Sequence, residues 1–316
     1  MTPSSIRRVV VLAGGISHER DVSLRSGRRV ADCLAQHGLK VELRDPDATL
    51  LSYLRETAPD VIWPALHGAS GEDGALRALL DFTSIPYVGS TSDAARLAWD
   101  KPTAKVLAAR AGVDTPRSIA LPRDAFRELG ANAILDEIAD HMPLPLVVKP
   151  AKGGSAQGVT LVNDRADLPR AMVDAYTYGD VALIEERIFG TEIAVSIIDT
   201  GDGPVALPAV EIEPLSGVYS FEARYNAGET RFFAPARISE AVATRAAEAA
   251  VSVHNTLGLR HISRVDMIID SAGIPWFLEA NVLPGLTETS LLPLALEAAG
   301  HDLGWVYSAL AEAATR

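Results

Sequence analysis

Near the end of the chain, acidic and polar residues recur two positions apart on two neighbouring apolar runs: Arg264 and Asp266 on the first, Glu279 and Asn281 on the second. Between the runs stands Ser271-Ala272-Gly273-Ile274, a hairpin turn whose glycine can take a positive φ. Strands Arg264–Asp270 and Pro275–Val282, folded about this turn, set Asp266 opposite Glu279 and Arg264 opposite Asn281. Residues two apart share a strand face, so the four gather on one side, leaving Val265, Met267, Trp276 and Leu278 on the other. Two carboxylates and an amide oxygen are hard ligands suited to Mg2+, which keeps water and phosphate oxygens in its remaining positions. Arg264 beside them can steady a developing negative charge. The spacing fits the solvated polar face of an edge hairpin equally well.

A second cluster runs Lys149-Pro150-Ala151-Lys152-Gly153-Gly154-Ser155-Ala156-Gln157-Gly158. It is no Walker A loop, because the lysine precedes the glycines and a strand follows. Lysine charge and backbone N–H groups of such a loop can still cradle phosphates, while an ordinary hairpin turn needs the same glycines. Glu185 and Glu192 bracket Arg187-Ile188-Phe189-Gly190 at a junction between units, where a cleft can bind a nucleotide; each taken alone is a surface carboxylate. Glu19 follows the first strand and could meet a substrate ammonium, or simply offset the N-terminus of the next helix. Gly14-Gly15 lacks the G-x-G-x-x-G spacing of a dinucleotide site, which weakens an oxidoreductase reading. His67 near Glu72 and Asp73 has no metal-site spacing and fits a loop or helix end.

The elements that must position these residues begin with alternating strands and helices. Arg8–Ala13, Val41–Arg44, Val61–Leu66 and the short Pro86–Val88 read as strands, with Val22–Gln36 and Leu76–Phe82 as helices. That alternation predicts an open parallel sheet with ligands at the carboxyl ends of its strands, where Gly14-Gly15 and His67-Gly68 lie. A helix over Asp93–Gly112 carries Lys101 near its middle, with Pro102 bending or breaking it, and helical Arg123–His141 follows. Strands Leu146–Pro150, Val159–Val162 and Val181–Glu185 complete a compact α+β unit. Strands Glu192–Ile198 and Val205–Ile212, a polar loop at Ser216–Glu229, helix Glu240–Thr256, the final hairpin and a C-terminal helix form the last unit. The expected divisions are 1–95, 96–188 and 189–316.

Composition narrows the class. The 316 residues are 48% hydrophobic and 22% charged, enough for a large core and too ordered in composition for a long disordered region. A net charge of −12 argues against nucleic-acid partners. One cysteine, Cys33, excludes an internal disulfide and fits a reducing cytoplasm. Arg7-Arg8 before Val9–Ala13 mimics a twin-arginine signal, but the apolar run stops at Gly14, so a buried strand is expected. Nothing approaches the ~20 apolar residues of a membrane span.

Taken in order, Gly14–Leu24, His67–Gly74, Asp100-Lys101, Lys149–Gly158, Tyr219–Tyr225, Arg264–Asp266 and Glu279–Thr287 resemble the D-alanine–D-alanine ligases of the ATP-grasp superfamily. The matching segments span nearly the whole chain, and their order carries the resemblance more than any one of them. It implies a three-domain ATP-grasp fold with an N-terminal Rossmann-like domain and ATP between the other two. Lys101 and Lys149 would meet ATP phosphates, Glu185 and Glu192 would lie near adenine and ribose, and Glu186, Ile188 and Arg224 would join the ATP site. Asp266, Glu279 and Asn281 would hold two Mg2+ ions, with Mn2+ as an alternative. Glu19 would bind the first ammonium group, linked with Ser155 and Tyr225 in a network closing loops over the substrates. Arg264 would stabilise the acyl-phosphate and tetrahedral stages, His67 would line the substrate site, and Ser290 and Leu291 would receive the second carboxylate.

The implied activity is ATP-dependent joining of two D-alanines for cell-wall peptidoglycan precursors, in the cytoplasm, by a homodimer with small-molecule partners only. Tyr225 is the residue that accompanies amide-forming members, whereas phenylalanine accompanies those making an ester with D-lactate. Departures are Ala156 and Gln157 for frequent Ser and Val, Arg224 for Lys, and Val282 for Thr; none removes a metal ligand. Two alternatives remain at this stage: the same chemistry on another D-amino or D-hydroxy acid, and a nucleotide-binding protein without turnover.

Overall fold

The computed structural model describes residues 6–215, 217, 219, 223–224 and 228–316. Strand β1 (Arg8–Leu12) is buried almost throughout and pairs in parallel with β2 (Lys40–Arg44) and β3 (Val61–Pro64), giving the order β2-β1-β3. The Val9–Leu12 run is continuously apolar and buried, as expected where both faces of a parallel sheet are covered. Helix Arg20–Gln36 makes the crossover between β1 and β2. Pro86–Val88 contributes only a single parallel bridge, Ile62 to Tyr87, and no strand of its own.

The predicted helix over Asp93–Gly112 is two helices, Ser92–Trp99 and Lys101–Arg110. The break falls at Asp100, whose extended backbone and carboxylate cap the second helix by accepting from the Thr103 N–H at 3.0 Å. Pro102 therefore starts a helix, where it lacks no hydrogen bond, and Lys101 stands at its first turn. Gly130, at φ 85°, similarly divides Arg123–His141 into Arg123–Leu129 and Ala131–His141. The C-terminal helix is also a pair, Leu291–Ala298 and Leu303–Ala313.

A second sheet has the order β4-β7-β5-β6, from β4 (Ser118–Pro122), β5 (Leu146–Pro150), β6 (Thr160–Val162) and β7 (Val181–Glu186), all antiparallel. The largely exposed edge strand β4 has no apolar alternation to announce it. Helix Leu168–Tyr178 packs on this sheet, and Val148, Val162, Ile184 and Met172 share a core of their own.

The third sheet contains β8 (Thr191–Ile198), β9 (Val205–Ala206), β10 (Val210–Pro214), β11 (Thr230–Phe233), β12 (Ile262–Ile269) and β13 (Pro275–Asn281). Its order is β11-β10-β8-β12-β13, with β9 on β8; the single strand expected over Val205–Ile212 is thus split in two. Helices 92–99 and 101–110 lie against β13, and Ala94, Ala98, Ala104 and Ala108 join the core of Val265, Met267 and Phe277. The first sheet is tied to the same body: Trp63 meets Tyr307 edge to face at 5.3 Å. Two cores run between the first and third sheets, while the second sheet keeps its own. No helix among the described residues is long and apolar enough to cross a membrane.

Candidate active site

The register of the last hairpin puts Arg264 opposite Asn281, Val265 opposite Ala280 and Asp266 opposite Glu279. Beyond Asp266 a β-bulge shifts the pairing, so Met267 meets Phe277 and Ile268 meets Trp276. The extra residue is Leu278, which lines the cleft with Ile268 and Glu279 instead of joining Val265 and Met267 in the core. Phe277, fully buried, takes the core position expected of Leu278. Strict two-residue alternation fails here because a bulge re-aims one side chain without breaking the strand.

Arg264 grips Asp266 with both prongs, Nε to Oδ1 and Nη2 to Oδ2, each at 2.7 Å. Burial works against the Arg264 charge, but Asp266 and Glu279 hold its pKa above the ordinary value. Asn281 Oδ1 accepts from the Leu283 N–H at 2.9 Å, which orients its oxygen. Glu279 meets Lys101 Nζ at 3.1 Å. Although burial would raise the Glu279 pKa, Lys101, Arg224, Lys149 and Arg264 bring it down to about 2. Lys101 is fixed from behind: its N–H donates to the Ala151 carbonyl at 3.0 Å and its Nζ to that of Gly153 at 2.6 Å. These bonds tie the start of helix 101–110 to the glycine loop after β5.

Lys149, on β5, donates to Glu185 of the adjacent strand β7. The other oxygen of Glu185 accepts from Lys105 Nζ at 2.9 Å. All three side chains are buried; burial opposes the Glu185 charge, but the two lysines keep its pKa below the usual range. Lys105 was not singled out from the sequence, since its role appears only when helix 101–110 is laid against β7. Glu185 lines the same cleft as Lys149 and Glu192, the side on which its contact with adenine or ribose was expected.

Glu186, Ile188 and Glu192 line the same cleft as Lys149, Arg224, Asp266 and Glu279, a cavity of about 470 Å³. Glu192 sits opposite Ile268 and Ile212. Burial, reinforced by Asp266 and Glu279 and opposed by Arg224, pushes its pKa up to about 7. The Arg224 guanidinium lies over the Tyr219 ring at 4.2 Å.

A second cavity, of about 680 Å³, shares Lys101, Gly153, Gly154, Tyr219, Arg224 and Glu279 with the first. Glu19, His67, Ser155, Arg264, Asn281, Ser290 and Leu291 all line it, so the residues expected to meet the amino acids converge there. Ser155 donates to Glu19, joining the glycine loop to the loop after β1. Ser155 and Ala156 carry φ of 54° and 55°, strained for residues with a Cβ. Gly68 takes φ 73°, where any side chain is strained, and a Cβ there would push aside Glu19 Oε2, 2.6 Å away. Tyr225 and much of the Ser216–Glu229 loop lie outside the described residues.

His67 is buried and bonded at both nitrogens, Nδ1 to the Leu283 carbonyl at 3.2 Å and Nε2 to Ser26 Oγ at 2.9 Å. The carbonyl only accepts, so Nδ1 carries the hydrogen and Ser26 donates to Nε2; Ser26 Oγ in turn accepts from the Leu286 N–H at 3.2 Å. Burial lowers the His67 pKa, which agrees with a neutral ring. Glu72, another cavity residue unassigned from the sequence, accepts from the Gly68 N–H at 2.9 Å, and burial drives its pKa to about 8. Ser290 stands at the N-terminus of helix Leu291–Ala298, its Oγ bonded to Thr287. The free N–H groups of such a terminus suit a carboxylate.

Residues 107–312 match the family model described as D-ala D-ala ligase C-terminus, and residues 51–90 match D-ala D-ala ligase N-terminus. The chain belongs to the D-alanine–D-alanine ligase family. A D-alanine–D-alanine ligase of Anaeromyxobacter sp. (strain K) is 40% identical over 287 residues, 91% of this chain and 90% of the relative. Among solved structures, the VanG D-Ala:D-Ser ligase from Enterococcus faecalis superposes with a TM-score of 0.85 at 26% identity, covering 98% of this chain and 100% of its own. The D-alanine–D-alanine ligase from Bacillus anthracis complexed with ATP gives 0.81 at 29% identity, covering 98% and 97%. The ATP-grasp fold of the family therefore accounts for two antiparallel sheets facing each other across the cleft.

Proposed function

We propose that the chain joins two D-alanines at the expense of ATP, releasing D-alanyl-D-alanine, ADP and phosphate. The observation that carries this reading is the junction of two cavities at Lys101 and Glu279: a phosphate cleft on one side, an amino-acid chamber on the other. The first D-alanine carboxylate attacks the γ-phosphorus of ATP, breaking its bond to the β-phosphate oxygen and forming an acyl phosphate. The second amine, having lost a proton, attacks the acyl carbon, and phosphate leaves. Lys101 and Lys149 neutralise phosphate charge. Glu19, tied to Ser155, takes the first ammonium; Arg264 faces the carbonyl oxygen that becomes negative; Ser290 and the Leu291 N–H take the second carboxylate. Exclusion of water from this chamber keeps the acyl phosphate from hydrolysis.

Asp266, Glu279 and the oriented Asn281 oxygen form an all-oxygen donor set that fits Mg2+, or Mn2+ in its place. When bound, such ions supply charge neutralisation on the transferred phosphoryl group. Glu185 and Glu192 are assigned to adenine and ribose, with Glu186, Ile188 and Arg224 in the same ATP site. We take 1–95, 96–188 and 189–316 as the three domains, the cytoplasm as the site of action, cell-wall precursor synthesis as the use, and a homodimer as the assembly. Phosphate release with ATP, Mg2+ and D-alanine, followed by product analysis, tests the reading; ATP consumption without dipeptide would overturn it. The likeness to a D-Ala:D-Ser ligase favours one second reading, a different second substrate. D-serine and D-lactate offered in competition decide it, and Tyr225 leads us to expect dipeptide rather than ester.

A further inference from the structure

We propose that Lys105 is a positioning residue for ATP: it holds Glu185 so that this carboxylate can release Lys149 to the nucleotide phosphates. Lys105 lines neither cavity. It reaches instead from helix 101–110 into the sheet and meets Glu185 Oε2 at 2.9 Å, while Lys149 binds Oε1 of the same carboxylate. Glu185 is only 2% exposed, so its charge cannot be left without a cation. With one lysine, that demand would fall wholly on Lys149, and the ammonium assigned to phosphate would stay locked in the wall. With two, Lys105 keeps Glu185 paired while Lys149 turns toward the cleft it lines. The trio carries one net positive charge, and that surplus is what the nucleotide meets.

The inference rests on the assignment of Lys149 to ATP phosphates, and charge counting gives it a separate test. Lys105→Met leaves Glu185 and Lys149 a neutral pair, so ATP should bind about tenfold more weakly, the loss of one charge-assisted partner. D-Alanine KM should change less than twofold. Lys105→Arg keeps a cation on Glu185 and should hold ATP affinity within about threefold of native, whereas Lys105→Gln keeps a donor but no charge and should bind about tenfold more weakly. If Lys105 merely bolts the helix to the sheet, the glutamine's hydrogen bond to Glu185 serves as the bolt and the Gln variant binds ATP as well as the Arg variant does.

The measurement is calorimetric titration of the full chain with ATP and Mg2+, alongside thermal unfolding of each variant. Should Lys105→Met fail to fold, the Arg and Gln variants decide: affinity that follows the charge supports the inference, and equal affinity in the two overturns it. Native affinity in Lys105→Met overturns it as well. Failure of the native chain to bind ATP would instead refute the proposed function.

Discussion

Glu279→Gln is the sharpest perturbation of the metal face, because it changes one charge and almost no volume. Glu279 is opposed by Asp266 and paired with Lys101 Nζ at 3.1 Å, on side chains 24% and 9% exposed. A charge-assisted bond of this kind contributes about 1.5–3 kcal/mol, and the glutamine oxygen still accepts from Lys101, which leaves a net loss nearer ~1 kcal/mol. Lys101 also keeps its 2.6 Å bond to the Gly153 carbonyl. For a chain of this size, such a loss lowers the melting temperature by about 2–4 °C. Catalysis should suffer far more. Removing one preorganised charge from a transition-state site costs on the order of 10²–10³ in turnover. Phosphate release at saturating ATP and D-alanine, with thermal unfolding in parallel, gives both numbers. Turnover within threefold of native at an unchanged Mg2+ requirement would refute the metal assignment. Loss of activity with a collapse in melting temperature would refute the reasoning too, since it would make Glu279 a structural residue.

Lys149→Ala should weaken ATP binding by about tenfold or more, and unchanged affinity and rate by titration and steady-state kinetics would return the glycine loop to an ordinary turn. Glu72 keeps a proton in the folded chain up to about pH 8 that the unfolded chain gives up near 4.5, so its burial costs stability progressively as pH rises between those values. Glu72→Gln should therefore raise the melting temperature relative to native, by an amount that grows from pH 5 to pH 8 and then levels off; a pH-independent difference would contradict the burial argument. Gly190→Ala should destabilise by about 1–3 kcal/mol in denaturant titration, because its Cβ would lie 1.9 Å from the Ile269 carbonyl oxygen. Stability equal to native would show that β8 and β12 part there without cost.

The sequence by itself determined the fold class and the elements whose burial is strongly periodic. Apolar runs and alternation fixed β1, β5, β12 and helix Glu240–Thr256, because burial on one or both faces writes its period directly into residue type. The Asp266–Glu279 and Arg264–Asn281 pairings agree with the expected register, although beside the turn Ile269 pairs with Pro275, one residue off it, and the bulge restores the alignment. The β-bulge at Leu278 was not legible, since its neighbours Phe277 and Leu278 are both apolar and either could face the core. Asp100 reads as a helix interior until its carboxylate is seen capping Thr103. The trio of Lys105, Glu185 and Lys149 joins residues 36 to 80 positions apart, and His67 meets Leu283 across 216. Only tertiary structure decides such contacts, because they depend on how elements far apart in the chain seat against one another, and local sequence period carries no record of that docking.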